Sequence, residues 1–280
     1  MSNAVAITAL SFFTIVATRV GLGALTLYIM LKIMKIETPT GLDEWKGLIL
    51  LGIFNCALPW CLFVWGQSYI STGLAAVLNA TTPMFTVLLA HFYTDDEKLT
   101  PAKAFGILIG MLGIFVIFKP DSISLETEQL VGQIAILCAT FCYGIAIMIG
   151  KKFTRHKLKP MQTAFGQLLV ATIIMVPLSL VVDKSYSFAL PDTNVIAALV
   201  MLGVVCAALA FPIMFKILDL GGATNASLVT FGIPIVAVTL GINFLGETFL
   251  INHGIGMGLI ALSLFVLDGR IFRIAKRAMA

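Results

Sequence analysis

Long apolar runs alternate with short polar connections along almost the whole chain. Each run has about 20 residues and lacks the two-residue alternation of a barrel strand, so each is long enough to cross a bilayer as a helix. The pattern predicts an all-α polytopic membrane protein with nine spans. These spans are residues 11–35, 46–69, 72–93, 101–118, 130–151, 160–182, 193–218, 223–245 and 250–269.

The composition strengthens this prediction. The chain has 280 residues, of which 59% are hydrophobic and only 11% are charged, whereas about 25% of the residues of an average soluble protein are charged. This excludes an ordinary soluble protein, and the spans leave no length for a separate soluble catalytic domain. We expect the chain in the cell's inner or plasma membrane, with the lipid bilayer as its surroundings.

The basic residues predict how the chain is oriented in the membrane. If the C-terminus is cytoplasmic, most of the 18 Lys and Arg side chains lie on the cytoplasmic side, as the positive-inside rule requires. The exceptions are Arg19, Lys119 and Lys184. Because the charges lie between apolar runs and not on one soluble face, the net charge of +4 does not indicate a nucleic-acid partner.

The two halves of the sequence resemble each other. The segment at residues 73–83 is similar to the segment at 224–234, and Glu97 and Gly106 have counterparts 150 residues later. This duplication predicts three parts of the chain. They are a first repeat at 1–120, a second repeat at 128–270 and a basic tail at 271–280.

One helix is missing from the first repeat. Nothing in it corresponds to the first span of the second repeat, residues 130–151. Nine spans and a cytoplasmic C-terminus also place Met1 outside the cell, although residues 1–10 have no signal-peptide pattern. A tenth helix ahead of Met1 accounts for both observations, so the first repeat has lost its first helix or the sequence begins after it. Two repeats of five helices then enter the membrane in opposite directions, as inverted repeats of transporters do.

These motifs resemble the drug/metabolite transporter superfamily, specifically its EamA branch. The resemblance is carried by Gly-Leu-Ala-Ala-x-Leu-x-Ala-x-x-Pro at 73–83, by Glu97-Lys98-Leu99, by the matching residues from Ala226 to Pro234, and by Gly246-Glu247. It implies a carrier with a 5+5 inverted repeat and both termini cytoplasmic. It also implies that small metabolites, such as amino acids or related compounds, cross through a central cavity. We therefore expect an exporter or facilitator that works by alternating access.

Three prolines inside the spans are candidate hinges. Proline lacks a backbone N–H and displaces the carbonyl four residues earlier, so Pro59 frees the carbonyl of Asn55 and Pro83 frees that of Asn79. Pro234 is the counterpart of Pro83 in the second repeat, and this recurrence favours a mechanical role. The alternative is that proline is simply more frequent in membrane helices.

Arg19 is the basic residue that falls inside an apolar run, and a charge at membrane depth marks a functional site by default. It lies near the predicted outer end of its helix, so snorkelling to lipid headgroups stays open as an alternative. A substrate cavity also needs amide and aromatic side chains, although such side chains can instead hydrogen-bond between helices. The predicted cavity residues are Arg19, Asn55, Trp60, Gln67, Asn79, Tyr143, Gln167 and Asn225.

The acidic residues all lie in connections or at helix ends, so coupling to a proton or sodium gradient has no support in the sequence. An intramembrane enzyme is disfavoured because the HExxH and GxSxG patterns do not occur and no pair of aspartates lies within the spans. We expect no catalytic residue, no metal and no cofactor. A membrane scaffold or assembly subunit that does not transport is the remaining alternative to a carrier.

Glycines at helical spacing occur in the last helix of each repeat, at Gly106 and Gly110 and at Gly254 and Gly258. Small residues at this spacing let two helices approach closely. Packing within one chain is the favoured interpretation, and a homodimer through either face is the alternative.

Overall fold

The computed structural model of the chain describes residues 11–70, 72–118, 127–154, 158–183, 192–233, 236 and 251–268. These residues form helices joined by short connections, with no strand among them. The prediction of an all-α fold is confirmed. In chain order the helices are α1 Phe12–Ile33, α2 Leu42–Leu51, α3 Leu58–Gly66, α4 Thr72–Asn79, α5 Thr82–Tyr93, α6 Pro101–Phe118, α7 Thr127–Thr154, α8 Pro160–Val182, α9 Thr193–Val200, α10 Ala210–Ser227 and α11 Ile251–Asp268.

Most of the described helical stretches have the length that a bilayer requires. Six stretches among the described residues are long and apolar enough to cross a membrane, and α6 and α11 supply two shorter apolar helices. Of the predicted span 223–245, the structure describes residues 223–233 and 236. The six long stretches are Phe12–Ile33, Leu42–Gly66, Leu74–Tyr93, Glu128–Lys152, Pro160–Val182 and Thr193–Ser227.

Two of these stretches contain a wider, π-helical turn at equivalent points of the two repeats. A π-helical segment, Gly52–Ala57, joins α2 to α3, and another, Met201–Leu209, joins α9 to α10. A proline follows shortly after each segment, at Pro59 and at Pro212. The missing N–H of a proline leaves the carbonyl four residues earlier without its helical partner, and the wider π turn accommodates that loss.

The predicted span 72–93 contains a break between α4 and α5. Pro83 has no N–H to donate to the carbonyl of Asn79, and the Thr82 hydroxyl donates to this carbonyl instead, at 2.7 Å. The proline therefore ends one helix and starts the next.

A second break separates the predicted spans 193–218 and 223–245. It lies at Gly222, which has φ 79° and ψ 179°. Glycine adopts this backbone conformation readily because it has no Cβ, whereas other residues are strained there.

Helices that are equivalent in the two repeats pack against each other in opposite directions. In the pair α1 and α8, Gly21 faces Thr172 and Gly23 faces Leu168, so residue numbers rise along one helix as they fall along the other. The pair α6 and α11 has the same arrangement. This is the geometry that an inverted repeat requires.

The glycines of α6 allow its close approach to α11. A Cβ on Gly113 would lie 2.7 Å from the carbonyl oxygen of Gly256, and a Cβ on Gly106 would lie 2.7 Å from Leu267 Cγ. A Cβ on Gly110 would lie 2.5 Å from the Phe231 ring. Gly106 and Gly110 are therefore used in packing within the chain.

The outward faces of the helices are apolar. On α6, for example, Phe105, Leu108 and Leu112 each leave more than half of their surface exposed. In water so continuous an apolar surface would cause aggregation, whereas in a bilayer it contacts lipid chains. The largest cluster of buried side chains lies where α1, α3, α7, α8 and α10 meet, and this cluster surrounds the candidate site.

Candidate functional site

A cavity of about 460 Å³ lies between α1, α3, α7 and α10, within the size range of pockets that hold small ligands. Most of its wall is apolar, with a few polar side chains among aliphatic and aromatic ones. The polar side chains are Arg19, Asn55, Asn79, Thr82, Tyr143, Ser227 and Thr230.

Arg19 lies over the ring of Trp60 in the cavity wall. Its guanidinium carbon is 3.5 Å from the centre of the ring, which is a cation–π contact. The Trp60 ring stacks on Phe211, with centroids 5.9 Å apart and 13° between the planes, and Phe211 stacks on Phe215 at 6.3 Å. One continuous stack therefore connects α1, α3 and α10.

Arg19 has no acidic partner among the described residues. Its Nε is buried and makes no hydrogen bond to any of them, and the ion pairs found in this part of the chain involve Lys46, Lys98 and Lys151. Arg19 lies seven residues, or about 10 Å, beyond the first residue of α1. Its side chain lines the cavity instead of reaching the end of the helix.

Asn79 and Tyr143 add polar groups to the same wall. Asn79 is the last residue of α4, and its buried Oδ1 has no hydrogen-bond partner among the described residues. Tyr143 is half-buried on α7. The structure thus brings together five of the predicted cavity residues. They are Arg19, Asn55, Trp60, Asn79 and Tyr143.

Gln167 lies behind the cavity wall and positions Asn55. The Nδ2 group of Asn55 donates a hydrogen bond of 2.8 Å to Oε1 of Gln167, and both side chains are buried. Asn55 belongs to the π-helical segment between α2 and α3, whereas Gln167 is on α8. The pair is a hydrogen bond between two helices, which is the alternative role for such residues.

The structure places Gln67 and Asn225 outside this cavity. Gln67 directly follows α3, and its Oε1 is buried without a partner among the described residues. Asn225 is exposed and donates to the carbonyl of Gly221 in its own helix at 2.8 Å. Both are amides in apolar runs, and the sequence alone does not show which face of a helix meets a cavity.

Pro59 and Pro83 are both buried. Pro83 is in the first turn of α5, after the break, where the N–H of a residue has no helical partner. Pro59 lies inside the continuous helical stretch Leu42–Gly66, directly after the π-helical segment. Pro234 lies outside the described residues.

A second polar arrangement, which we call the Glu97 cluster, consists of Asp96, Glu97, Lys151, Ala223 and Thr224. Lys151 Nζ donates to Asp96 Oδ1 and to Glu97 Oε1, both at 2.7 Å. Glu97 also accepts hydrogen bonds from the backbone N–H groups of Ala223 and Thr224, each at 2.7 Å. These N–H groups are the first after the break in α10, and a carboxylate is favourable at such a helix start.

The hydrogen bonds of the cluster lower the pKa of Glu97. Burial alone would raise this pKa, but the hydrogen bonds from Lys151, Thr224 and Ala223 lower it further than burial raises it. The carboxylate is therefore charged at neutral pH. It connects the α5–α6 loop to α7 and to α10.

Cys206 and Phe211 also line the cavity, although no motif in the sequence singles out either residue. Cys206 lies 150 residues after Cys56, and both are in π-helical segments, so the repeat offset is the one signal that relates them. The described residues contain no group of three or more His, Cys, Asp or Glu side chains that could hold a metal ion.

Comparison with known proteins agrees with the architecture. The profile of the EamA-like transporter family matches residues 2–119 and 130–267. A solved crystal structure superposes on 99% of this chain and on 93% of its own chain, with a TM-score of 0.80 and 16% sequence identity. At this low identity, the likeness to the solved structure shows the fold alone.

Three of the similar proteins are named as transporters. The uncharacterized transporter YoaV of Bacillus subtilis (strain 168) is 23% identical over 89% of this chain and 84% of its own length. An uncharacterized transporter of Archaeoglobus fulgidus is 26% identical over 80% of this chain and 78% of its own. The uncharacterized inner membrane transporter YedA of Escherichia coli (strain K12) is 25% identical over 76% of this chain and 66% of its own length. With both halves matched by the family profile, the chain belongs to the EamA-like transporter family, within the drug/metabolite transporter superfamily, and is a multi-pass protein of the inner membrane.

Proposed function

We propose that the chain carries small organic metabolites, such as amino acids or related compounds, across the inner membrane through the cavity at Arg19 and Trp60. It acts as an exporter or a facilitator and works by alternating access. One observation carries the proposal. Asn55 in the first π-helical segment and Cys206 in the second both line this cavity, so the solute site lies between equivalent irregular points of the two repeats.

Irregular backbone beside the cavity supports a moving site. Non-helical backbone at membrane depth is tolerated where it lines a cavity, and in carriers it marks the place where two repeats move against each other. The π-helical segments, the break before Pro83 and the break at Gly222 all interrupt regular helical hydrogen bonding in this part of the chain. Pro59 and Pro83 are the proposed hinges, and we assign Pro234 the same role by its place in the repeat.

The repeats at 1–120, with four predicted spans, and at 128–270, with five, form an inverted-repeat carrier. Its C-terminus is cytoplasmic, and the Glu97 cluster then lies on the cytoplasmic side. A homodimer stays the alternative to packing within one chain, and the face left for it is that of Gly254 and Gly258, since a Cβ on Gly258 would meet nothing within 4 Å.

An untargeted comparison of metabolites inside and outside cells, with and without the gene, tests this function. We expect a small set of metabolites to accumulate outside, or to equilibrate faster, only in cells with the gene. Trp60→Ala removes the aromatic wall and should abolish the difference. Trp45→Ala is the matched control, because Trp45 lies in the first turn of α2 and donates to the Pro39 carbonyl, away from the cavity. If no metabolite differs, or if folded Trp60→Ala protein restores the full difference, the proposal fails.

A further inference from the structure

We infer that the solute is an organic monoanion that binds through a carboxylate group at Arg19 and rests its apolar body on the Trp60–Phe211 stack. This inference rests on the proposed function and narrows its class of solute, because the ammonium group of an amino acid would meet no Asp or Glu among the described lining residues.

The first support is the charge of the cavity. None of the described lining residues is Asp or Glu, and Arg19 is the basic residue among them. A charged group at membrane depth is costly unless it is paired. The Trp60 ring compensates part of this cost through the cation–π contact. No acidic side chain among the described lining residues compensates the rest of the charge, and an anionic solute would compensate it.

The second support is the geometry of the guanidinium group. Trp60 covers one face of Arg19 at 3.5 Å, while the N–H groups of a guanidinium point outward from its edge, in the plane of the group. The buried Nε has no acceptor among the described residues. A carboxylate has two oxygens at the spacing that the edge of a guanidinium binds, so it fills this position with two parallel hydrogen bonds.

The third support limits the charge of the solute to one. A single guanidinium neutralises a single carboxylate, whereas a phosphate monoester would bring a second negative charge into a wall made mostly of apolar side chains. Val64, Ile147 and Ile213 are among these side chains, and an unpaired charge against them is costly. The wall thus selects a monoanion with an apolar or aromatic body.

A fourth observation concerns the other end of the solute. Asn79 Oδ1 is a buried acceptor without a donor among the described residues, and it lines the same cavity. A buried acceptor that lacks a donor is destabilising. We therefore expect the solute to carry an N–H or O–H group on its body that reaches Asn79.

Binding to the purified full-length chain tests this inference with matched acids and amides. The probes are acetate, hexanoate, benzoate and phenylacetate, each compared with its own amide. The dissociation constant of each probe follows from the rise in unfolding temperature as its concentration increases. The variants are Arg19→Gln, which removes the charge, and Arg19→Lys, which keeps the charge but lacks the planar pair of N–H donors that a carboxylate binds. Lys32→Gln removes an exposed charge near the end of the same helix and is the matched control.

The expected result is that at least one acid binds about tenfold or more tightly than its amide, the effect of a hydrogen bond to a charged group. The preference for the acid over its amide should remain in Lys32→Gln and weaken in Arg19→Lys. In Arg19→Gln the two dissociation constants should differ by no more than about twofold. Equal binding of every acid and its amide to the unmodified chain overturns the inference, and so does an acid preference that survives in Arg19→Gln. If Arg19→Gln does not fold, the unmodified chain and Arg19→Lys still decide between these results.

Failure of this inference is distinguishable from failure of the proposed function. If liposomes with the protein lose a neutral or cationic metabolite but no probe acid is preferred, the chain is a carrier and the monoanion inference is wrong. If the acid preference depends on Arg19 but no metabolite crosses, the binding site is right and the transport function is wrong.

Discussion

Lys151 Nζ and Glu97 Oε1 lie 2.7 Å apart, and both side chains are nearly buried. The pair joins the end of α7 to the α5–α6 loop, and Glu97 also accepts the backbone N–H groups that start the second part of α10. Replacing Glu97 with Gln keeps the shape but removes the charge from these hydrogen bonds. We expect Glu97→Gln to lower the free energy of unfolding by about 1–3 kcal/mol, measured by thermal unfolding of the purified protein.

The control is Asp95→Asn in the same loop. Asp95 pairs with Lys98 at 3.7 Å and its side chain is fully exposed, and exposed ion pairs contribute little. Equal unfolding temperatures for the two variants would show that the Glu97 cluster does not stabilise the fold.

The pH dependence of stability should reveal the same carboxylate. The pKa of Glu97 is lowered in the folded protein from an ordinary value of 4.5. Its contribution is therefore complete above about pH 4.5 and is lost as the pH falls through the lower folded-state pKa. The difference in unfolding temperature between the unmodified chain and Glu97→Gln should stay constant from pH 7 to pH 5 and shrink below pH 4.5. A difference that disappears by pH 6, or one that persists at full size far below pH 4.5, contradicts this assignment.

Asn55 and Gln167 should act on stability as a pair. Their side chains share a buried hydrogen bond of 2.8 Å between the first π-helical segment and α8. In a double-mutant cycle with Asn55→Leu and Gln167→Leu, we expect the two effects to be non-additive by about 0.6 kcal/mol and by no more than about 1.7 kcal/mol, the average and the maximum for such bonds between membrane helices. Additive effects in thermal or denaturant unfolding would show that the bond contributes nothing.

Gly113 on α6 is tightly packed, whereas Gly258 on α11 has open space beside it. A Cβ on Gly113 would collide with the backbone oxygen of Gly256, whereas a Cβ on Gly258 would meet nothing within 4 Å. Gly113→Ala should lower the free energy of unfolding by about 1–3 kcal/mol, and Gly258→Ala should leave it unchanged or raise it slightly, because alanine favours helix. Similar stabilities of the two variants would contradict the packing of α6 on α11.

The features that could be predicted from the sequence are those marked by an unusual residue type or by the internal repeat. Arg19 and Trp60 stand out because a charge and a large aromatic ring are unusual inside apolar runs, and both line the cavity. The repeat offset pairs Gly106 with Gly256, and these residues lie on α6 and α11, which pack in opposite directions. Break positions were predictable where proline removes a donor, as at Pro83.

Features that depend on the rotation of a helix about its axis could not be predicted from the sequence. Asn55, Gln167 and Asn225 are all amides in apolar runs, yet one lines the cavity, one supports it from behind and one is exposed. The π-helical segments cause part of this difficulty, because a wider turn shifts every following side chain around the axis. Cys206 reaches the cavity from such a segment.

Metabolite loss from liposomes tests the central claim, that a solute crosses the membrane through this cavity. Liposomes containing the full-length chain, loaded with a metabolite extract and supplied with no ATP, are compared over time by mass spectrometry with empty liposomes and with liposomes containing Trp60→Ala. We expect a few small metabolites to leave faster only where the unmodified protein is present. Equal rates of loss for every metabolite in all three preparations would contradict it.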